Sequence, residues 1–304
     1  MNGVRYTPPM LTYPRVGLTV KSDLDSKDTA VRTIVKILKG CGAHVCADHS
    51  RVSDIPGSKG METFTCMDDI DLLIVMGGDG TILRAVRELE NFSVPILCIN
   101  RGGVGFLSEL DMHEAAEFLP RFLKGHGVIE ERSVLRVRAT RGKKKLYEGF
   151  VLNEAVISQG SIARLMDLRT TVNGEELTTF RADGLILSTP TGSTAYTLAA
   201  GGPIVHPAMS AIILTPINPH TFSQKPIVIP GGHTVDVDVL AKPNKFSDVE
   251  VSLTLDGQTY VALQRDDTIE AHINKHTVKF LRRDKETFYG TLRKKLKWGE
   301  RPED

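Results

Sequence analysis

A buried-strand pattern that ends abruptly in a glycine-rich turn is the feature that most constrains the fold. Ile70–Met76 (IDLLIVM) is apolar almost throughout, as a strand covered on both faces should be. The next residues, GGDGT (Gly77–Thr81), are followed by ILRAVREL, which has a helical pattern. A buried strand, a tight turn and a helix in this order predict an open α/β sheet with a ligand site at the turn.

The first part of the chain alternates strand and helix signals. Predicted strands are RVGLTV (Arg15–Val20), AHVCAD, IDLLIVM and VPILCIN, and predicted helices are SKDTAVRTIVKILKG, ILRAVREL and HEAAEFLPRFLKG, the last with Asp111 as a cap. This alternation favours a doubly wound parallel sheet. The glycines of the turn are expected to adopt positive φ and to let a ligand approach the backbone.

From about Glu130 onwards the sequence is mostly strand-like. Short β-branched segments are separated by turn signals such as Asn173-Gly174 and Asp256-Gly257. We therefore expect an α/β domain at residues 1–130 and a β-rich, sandwich-like domain at residues 131–275. The amphipathic pattern of TFYGTLRKKLKW predicts a final helix in the tail, residues 276–304.

Composition excludes several classes of function. The formal net charge is +1, so no nucleic-acid partner is expected. No apolar run of about 18 residues and no secretory signal is present, which predicts a cytoplasmic protein without a membrane span. The four cysteines lack metal-binding or CxxC spacing and are expected to be reduced; His272 and His276, four apart in strand-like sequence, do not predict a metal site either.

The acid within GGDGT is unusual for a turn that binds phosphate. Glycine amides and a helix N-terminus attract anions, whereas the carboxylate of Asp79 repels them unless it has a chemical role. It could hold Mg²⁺ or accept the proton of a hydroxyl that attacks phosphorus. The alternative is a tight turn with a capping acid. The sequence contains no GxxxxGK[ST] loop and no GxGxxG after a strand.

Two further segments suit a polar ligand that carries a ring. STPTGSTAY, within Phe180–Pro207, offers hydroxyl groups and one aromatic surface, although a polar surface loop is the alternative interpretation. LNEAVIS (Leu152–Ser158) places Asn153 and Glu154 together in an otherwise apolar strand. Since side chains alternate across a strand, one of the two should face inward and need a polar partner.

Together these segments resemble the NAD kinase family, which phosphorylates NAD to NADP. GGDGT alone is shared with diacylglycerol and sphingosine kinases, but GGDGT, NE, RADG, TPTGSTAY and GGP in this order are specific, and INRGGVGFL adds support. The family's second motif is often RGDG, and here Ala182 replaces its first glycine. The resemblance implies an α/β domain, a β domain, a tail that returns to the first domain, and a homodimer or homotetramer.

The resemblance also implies roles for individual residues. Asp79 would be the base that activates the adenosine ribose 2′-hydroxyl of NAD, and Asn153 and Glu154 would hold ribose hydroxyls. Asp183 would meet the nicotinamide side, often from a neighbouring subunit. The other residues implied to bind NAD are Gly80, Arg84, Arg164, Arg181, Thr194, Ala195, Tyr196, Leu198, Ala199 and Gln258, and those expected to bind phosphate are Gly77, Gly78, Gly80 and Thr81.

The expected donor is ATP with Mg²⁺ carried mainly on its phosphates, or inorganic polyphosphate, and no dedicated protein ligands for the metal are expected. Two other functions stay open at the level of sequence. A lipid or sphingoid kinase shares GGDGT but needs an apolar pocket, whereas the TPTGSTAY loop is polar. A non-catalytic nucleotide sensor would gain nothing from the negative charge of Asp79.

Overall fold

The structure is a computed structural model that describes residues 11–21, 27–89, 91–100, 102, 105–160, 165–240, 251–283 and 288–299. The chain divides into two compact units, one of residues 1–130 with 279–304 and one of residues 131–278. No helix within the described ranges has the length and apolar character needed to cross a bilayer.

The first unit is built on parallel strands. In chain order it contains β1 (Arg15–Val20), α1 (Lys27–Gly40), β2 (His44–Asp48), β3 (Thr63–Phe64), β4 (Leu72–Met76), α2 (Asp79–Arg87), β5 (Ile96–Ile99), α3 (Ala115–Leu123) and β6 (Val128–Arg132). Two 3₁₀ helices, His49–Asp54 and Met67–Asp69, flank β3 and were not predicted from the sequence. They carry no amphipathic repeat long enough to detect.

The second unit is almost entirely antiparallel. It contains β7 (Leu135–Arg141), β8 (Lys144–Val151), β9 (Glu154–Gln159), β10 (Met166–Val172), β11 (Glu175–Ala182), β12 (Gly184–Ser188), the 3₁₀ turn Thr191–Thr194, α4 (Tyr196–Ala199), β13 (Ala211–Ile217), β14 (Ile227–Pro230), β15 (Thr234–Leu240), β16 (Val251–Leu255), β17 (Thr259–Leu263) and β18 (Asp267–Ile273). The chain then forms β19 (Val278–Arg282) and ends with α5 (Phe288–Leu296).

Among the described residues the strands form three sheets. The first has the order β3-β2-β1-β4-β5-β19-β6, and the other two have the orders β11-β10-β15-β18-β7-β8 and β14-β13-β12-β9-β16-β17. A largely parallel sheet followed by two antiparallel sheets confirms the predicted fold class. The core between the two antiparallel sheets is aliphatic and includes Leu135, Ile157, Leu187, Leu214 and Ile269.

The order of the first sheet creates a switch point between β1 and β4. The chain passes from β1 outward to β2 and β3, then returns to β4 on the other side of β1. In register, Val20 lies beside Met76 and Met76 beside Ile99, so β1, β4 and β5 end at the same level. The loops that follow these strands are therefore gathered at the carboxyl edge, where open sheets bind ligands.

Helix α2 begins three residues earlier than the sequence pattern indicated. It starts at Asp79, with Gly78 as its N-cap, so most of GGDGT belongs to the helix and not to a loop. Gly78 has φ −86°, and neither Gly77 nor Gly80 is among the described glycines with positive φ. The expectation of positive φ at these three glycines was therefore wrong. The absence of a side chain matters at Gly77, where a Cβ would lie 2.8 Å from Cβ of Thr81.

Strand β19 brings two arginines into a buried ionic cluster of the first unit. Arg282 Nε lies 2.7 Å from Glu130 Oε2 and its Nη1 lies 3.2 Å from Glu109 Oε2. Arg283 Nε lies 2.9 Å from Glu109 Oε1 and its Nη1 lies 2.7 Å from Glu114 Oε1. Burial raises the pKa of Glu109, and the two arginines lower it. A buried charge of this kind is tolerated because both of its oxygens have cationic partners.

Removal of Arg282 should destabilise the protein strongly. Loss of one member of a buried pair leaves an uncompensated charge, and because Arg283 still contacts Glu109 we expect a cost at the lower end of the usual range, about 3 kcal/mol. Urea unfolding of Arg282→Ala measures it. Lys275→Ala, an exposed cation shortly before the same strand, should change the free energy of unfolding by less than about 0.5 kcal/mol. Equal losses in the two variants would contradict the prediction.

Candidate active site

One oxygen of the Asp79 carboxylate accepts a hydrogen bond, and the other accepts none from the described residues. Oδ2 accepts a hydrogen bond from the amide of Phe106, with an N–O distance of 3.2 Å. Oδ1 is buried and has no hydrogen-bond partner among the described residues. A buried carboxylate oxygen without a hydrogen bond lowers the stability of the fold. Its presence therefore indicates a place where a ligand group donates a hydrogen bond.

The backbone of Gly105 approaches this carboxylate closely. A Cβ at position 105 would overlap with Oδ1 of Asp79, so only glycine fits there. The amide of Gly105 donates to Ser108 Oγ at 2.6 Å, which fixes the loop after β5. Gly105 and Phe106 belong to the INRGGVGFL motif, whose part in holding Asp79 was not foreseen from the sequence. Its Arg101, Gly103 and Val104 lie outside the described residues.

The expected phosphate-binding residues at this turn differ in how their amides are used. Gly77 N–H donates to the carbonyl of Ile99 at 3.0 Å, and Thr81 N–H donates to the carbonyl of Gly78 at 2.9 Å. A phosphate would have to displace these bonds to use either amide. Gly80 is exposed at the second position of α2, and the side chain of Thr81 is buried. Gly78 is the N-cap of α2, and the N-terminal end of a helix favours an anion.

Arg84 lies further along α2 and is directed towards the end of β1. Its Nη2 donates to the carbonyl of Val20 at 3.0 Å, and its Nε lies 4.0 Å from Glu88 Oε2. Desolvation and the positive charge of Arg51 lower the pKa of Arg84. The guanidinium therefore lies at the carboxyl edge of the first sheet.

In the second unit, Asn153 and Glu154 lie where the chain leaves one antiparallel sheet and enters the other. Asn153 lies in the bend after β8, and Glu154 is the first residue of β9. The expectation that both belong to a strand was therefore wrong for Asn153. Glu154 is 8% exposed, and its Oε2 is buried without a hydrogen-bond partner among the described residues. Glu154 is thus the inward-facing member of the pair.

Asp256 holds this bend in place. Its carboxylate accepts the amides of Leu152 at 2.9 Å, Asn153 at 2.9 Å and Glu154 at 3.1 Å. Asp256 has φ 48° and begins the turn between β16 and β17, which the sequence revealed through its Asp-Gly pair. What the sequence did not reveal was the partner of the acid, because the amides lie about a hundred residues earlier in the chain.

The two acids at this bend influence each other. Burial is the main cause and the negative charge of Asp256 the second of a pKa of about 8 for Glu154, although a hydrogen bond from the amide of Tyr196 acts to lower it. Asp256 itself receives three amide hydrogen bonds, which favour its charged form. Below a pH of about 8, Glu154 therefore tends to keep its proton.

The STPTGSTAY loop packs directly on the same bend. Thr189 N–H donates to the carbonyl of Asn153 at 2.9 Å, and Thr189 Oγ1 donates to the carbonyl of Leu152 at 2.5 Å. At Gly192 a Cβ would overlap with the carbonyl of Asn153, so glycine is needed for this contact. The structure therefore brings the NE and TPTGSTAY segments together at one end of β9 and β12.

The remaining predicted residues separate into two groups. Near this bend, Tyr196 is 45% exposed with its amide on Glu154, Thr194, Ala195 and Leu198 are half-buried, and Ala199 and Gln258 are exposed. Asp183 and Arg181 lie at the opposite end of β12, roughly 20 Å of extended chain away. Asp183 Oδ2 accepts from Asn218 Nδ2 at 3.1 Å, and Arg181 Nε lies 4.0 Å from Asp167 Oδ1. Arg164 lies outside the described residues.

Fold and site together define a class of enzyme, the phosphotransferases. The α/β unit carries an acid flanked by glycines, and the β-rich unit carries a polar loop that suits a nucleotide. The family model described as the ATP-NAD kinase N-terminal domain matches residues 16–127, and the one described as the ATP-NAD kinase C-terminal domain matches residues 152–283. The chain belongs to the NAD kinase family, whose members phosphorylate NAD to NADP with ATP. The resemblance inferred from the motifs is thus confirmed.

Individual relatives support the assignment. NAD kinase of Geotalea daltonii is 43% identical over 238 residues, covering 77% of this chain and 82% of the relative. NAD kinase of Thiobacillus denitrificans is 35% identical over 296 residues, covering 96% and 99%. Among solved structures, yeast NADH kinase complexed with NADH has a TM-score of 0.82 at 24% identity, covering 95% of this chain and 89% of that one. An NAD kinase from Archaeoglobus fulgidus in complex with ATP has a TM-score of 0.69 at 26% identity, covering 89% and 94%.

A methyl group at Gly105 should disturb catalysis through Asp79. Since a displacement of about 1 Å at a reacting group can cost about 100-fold in rate, we expect kcat for NADP formation to fall by about that factor in Gly105→Ala. Gly102→Ala is the matched control, because a Cβ there meets no atom within 4 Å. Similar kcat values for the two variants, with both proteins folded by circular dichroism, would contradict the contact with Asp79.

Glu154 should make the stability of the free protein depend on pH. Its pKa is 4.5 for the unperturbed side chain and about 8 in the folded protein, so between these values the folded state holds a proton that the unfolded chain has lost. Stability conferred by this group therefore falls as pH rises from about 4.5 to about 8. Compared with wild type, Glu154→Gln should gain relative stability steadily over that range in thermal unfolding. A difference that is constant with pH, as expected for the exposed control Glu117→Gln, would refute the raised pKa.

Proposed function

We propose that Asp79 acts as the general base in the transfer of the γ-phosphoryl group of ATP to the 2′-hydroxyl of the adenosine ribose of NAD. The carboxylate Oδ1 takes the hydroxyl proton, the ribose oxygen forms the new bond to phosphorus, and ADP leaves. The observation that carries this role is the buried Oδ1, which has no partner within the described part of the chain, beside an Oδ2 held by the amide of Phe106. General-base assistance of this kind typically contributes about 10²–10⁴-fold in rate.

The adenosine end of NAD is assigned to the bend and loop of the second unit. Asn153 and Glu154 hold ribose hydroxyls. The Oε2 of Glu154, which has no partner among the residues that the structure describes, supports this role because a buried polar atom needs a partner. The half-exposed ring of Tyr196 offers a surface for the base. The remaining residues assigned to this end are Thr194, Ala195, Leu198, Ala199 and Gln258.

The nicotinamide end is assigned to Asp183, contributed by a second copy of the chain, and Arg181 is assigned as a basic residue near the ligand. Their position at the far end of β12 from Tyr196 supports this, since one adenosine pocket cannot include both groups. The protein would then act as a homodimer or homotetramer. Arg84, Arg164 and the amides near Gly78 and Gly80 would hold phosphates of the substrates.

The donor is assigned as ATP with Mg²⁺, and inorganic polyphosphate is the alternative donor. The complex of the Archaeoglobus fulgidus relative with ATP supports the nucleotide. The Mg²⁺ ion would be carried mainly on the donor's phosphates, without a dedicated group of protein ligands. Bound there, Mg²⁺ would neutralise charge on the phosphates, and Asp79 would supply the proton acceptor.

Two broader assignments complete the proposal. Residues 131–275 form the NAD-binding domain, while residues 1–130 and 276–304 form the domain that carries the catalytic acid. The protein acts in the cytoplasm, where NAD and ATP are both present and where its cysteines, unpaired among the described residues, stay reduced.

A single assay tests the catalytic assignment. With NAD, ATP and Mg²⁺, Asp79→Asn should lower kcat for NADP formation by about 100-fold or more, because the amide cannot accept the proton. Calorimetric NAD binding should stay close to wild type. Glu117→Gln, which neutralises an exposed acid of the same unit, should leave kcat unchanged. Polyphosphate in place of ATP decides the donor in the same experiment. Asp79→Asn with more than a tenth of wild-type kcat would remove the base from the mechanism.

A further inference from the structure

The first unit carries a second cluster of reactive side chains at the opposite end of its parallel sheet. His44 and Cys46 lie two residues apart on β2 and therefore point to the same side of the strand. Glu62 comes just before β3, which pairs with β2 through Ala47 and Thr63. One ligand atom from each of His44, Cys46 and Glu62 lies within 4.8 Å of the others. We call these three residues the β2 cluster.

Arg15 fixes the orientation of the carboxylate in the β2 cluster. Its Nη2 lies 2.8 Å from Glu62 Oε1 and 4.0 Å from Cys46 Sγ, while its Nε donates to the carbonyl of Asp69. The other carboxylate oxygen, Oε2, lies 2.7 Å from His44 Nε2. One oxygen of Glu62 is therefore held by the guanidinium, and the other is directed at the imidazole.

We propose that the β2 cluster binds a divalent transition-metal ion of the zinc type through His44 Nε2, Cys46 Sγ and Glu62 Oε2. Imidazole nitrogen, thiolate sulfur and carboxylate oxygen are the three ligand types that Zn²⁺ uses in proteins. Three protein ligands leave a fourth position, and the half-exposed side chains of His44 and Glu62 give it access to water. None of the residues assigned to the NAD kinase reaction belongs to this cluster.

The geometry needs only a small adjustment to accept the ion. Tetrahedral bonds of about 2.0–2.3 Å place the ligand atoms about 3.3–3.6 Å apart. The imidazole must move slightly away from Glu62, because His44 Nε2 lies only 2.7 Å from Glu62 Oε2, and the sulfur already lies within 4.8 Å of both partners. His44 and Glu62 are on the surface and can make this movement, whereas Cys46 is fully buried and anchors the site.

Arg15 has two opposing effects on the ion. Its charge repels a cation, but its hydrogen bond to Glu62 Oε1 holds the carboxylate with Oε2 turned towards His44, as outer partners of metal ligands commonly do. Coordination forms a sulfur–metal bond and releases the proton of the Cys46 thiol to solvent. The ion's two positive charges are then balanced by the thiolate and the carboxylate.

The consequence of binding is a connection between β2 and the segment that leads into β3. That segment contains the 3₁₀ helix His49–Asp54 and leads into a strand of only two residues, so β2 and β3 share few ladder positions. Arg15 and His44 are the first residues of their parallel strands, whereas Asp79 follows the last residue of β4. We therefore expect the ion to raise thermal stability and to act independently of the base.

Cobalt(II) titration of the metal-free, full-length protein tests the proposal. Wild type should develop a sulfur-to-cobalt charge-transfer band in the near ultraviolet together with the visible absorption of a tetrahedral ion, and Zn²⁺ should displace both. Cys46→Ser should lose the charge-transfer band. Changes in outer partners already cost about 10–100-fold in metal affinity, so loss of a ligand in His44→Ala or Glu62→Gln should weaken binding by about 100-fold or more.

Matched controls separate this site from adventitious binding. Cys41→Ser and His49→Ala, which change the same residue types nearby in the first unit, should leave the affinity for Co²⁺ and the Zn²⁺-induced rise in melting temperature unchanged. Glu62→Gln guards against misfolding, because its side chain is half-exposed and the variant should keep the wild-type circular dichroism. Absence of a charge-transfer band in wild type, or equal metal affinity in wild type and Glu62→Gln, would overturn the proposal.

Discussion

The seating of one carboxylate at the carboxyl edge of a parallel sheet is the constraint on which the catalytic proposal depends. Because Met76 lies in register with Ile99, the turn after β4 and the loop after β5 meet. The amide of Phe106 then holds one oxygen of Asp79, and the absence of a side chain at Gly105 lets the loop approach the other. A shift in register of one residue between the two strands would remove both contacts, so the chemistry rests on the packing of the sheet.

In the second unit two acids, Asp256 and Glu154, lie close together and have different roles. The carboxylate of Asp256 accepts three backbone amide hydrogen bonds, which favour its charged form. Its negative charge disfavours ionisation of the buried Glu154. One carboxyl group thereby organises the backbone bend and the other is kept protonated within it. In the proposed complex, Glu154 would meet a ribose hydroxyl as a hydrogen-bond donor or acceptor without adding a second charge near the phosphates. The β2 cluster differs again, because there an arginine orients the acid.

Regular patterns made much of the fold predictable. A continuous apolar run predicts strand Leu72–Met76, and an amphipathic pattern predicts helix Lys27–Gly40. The antiparallel strands are predicted by β-branched segments between turn signals. Shorter elements were not predicted, because a strand of two residues such as Thr63–Phe64 has no periodic pattern to detect. The start of α2 was misplaced for a related reason: glycine and aspartate are weak helix formers, so Asp79 and Gly80 did not extend the helical pattern of ILRAVREL.

The sequence by itself determined the class of fold, the order of the motifs and hence the family, since these depend on local pattern and on the identity of neighbouring residues. Tertiary structure decided which atoms meet: the pairing of Asp256 with amides about a hundred residues away, the contact between Gly105 and Asp79, the position of Asp183 at the far end of β12 from Tyr196, and the gathering of His44, Cys46 and Glu62. These contacts join residues distant in the chain through strand register and loop packing. Their geometry is a property of the folded sheets and leaves no periodic trace in a single sequence.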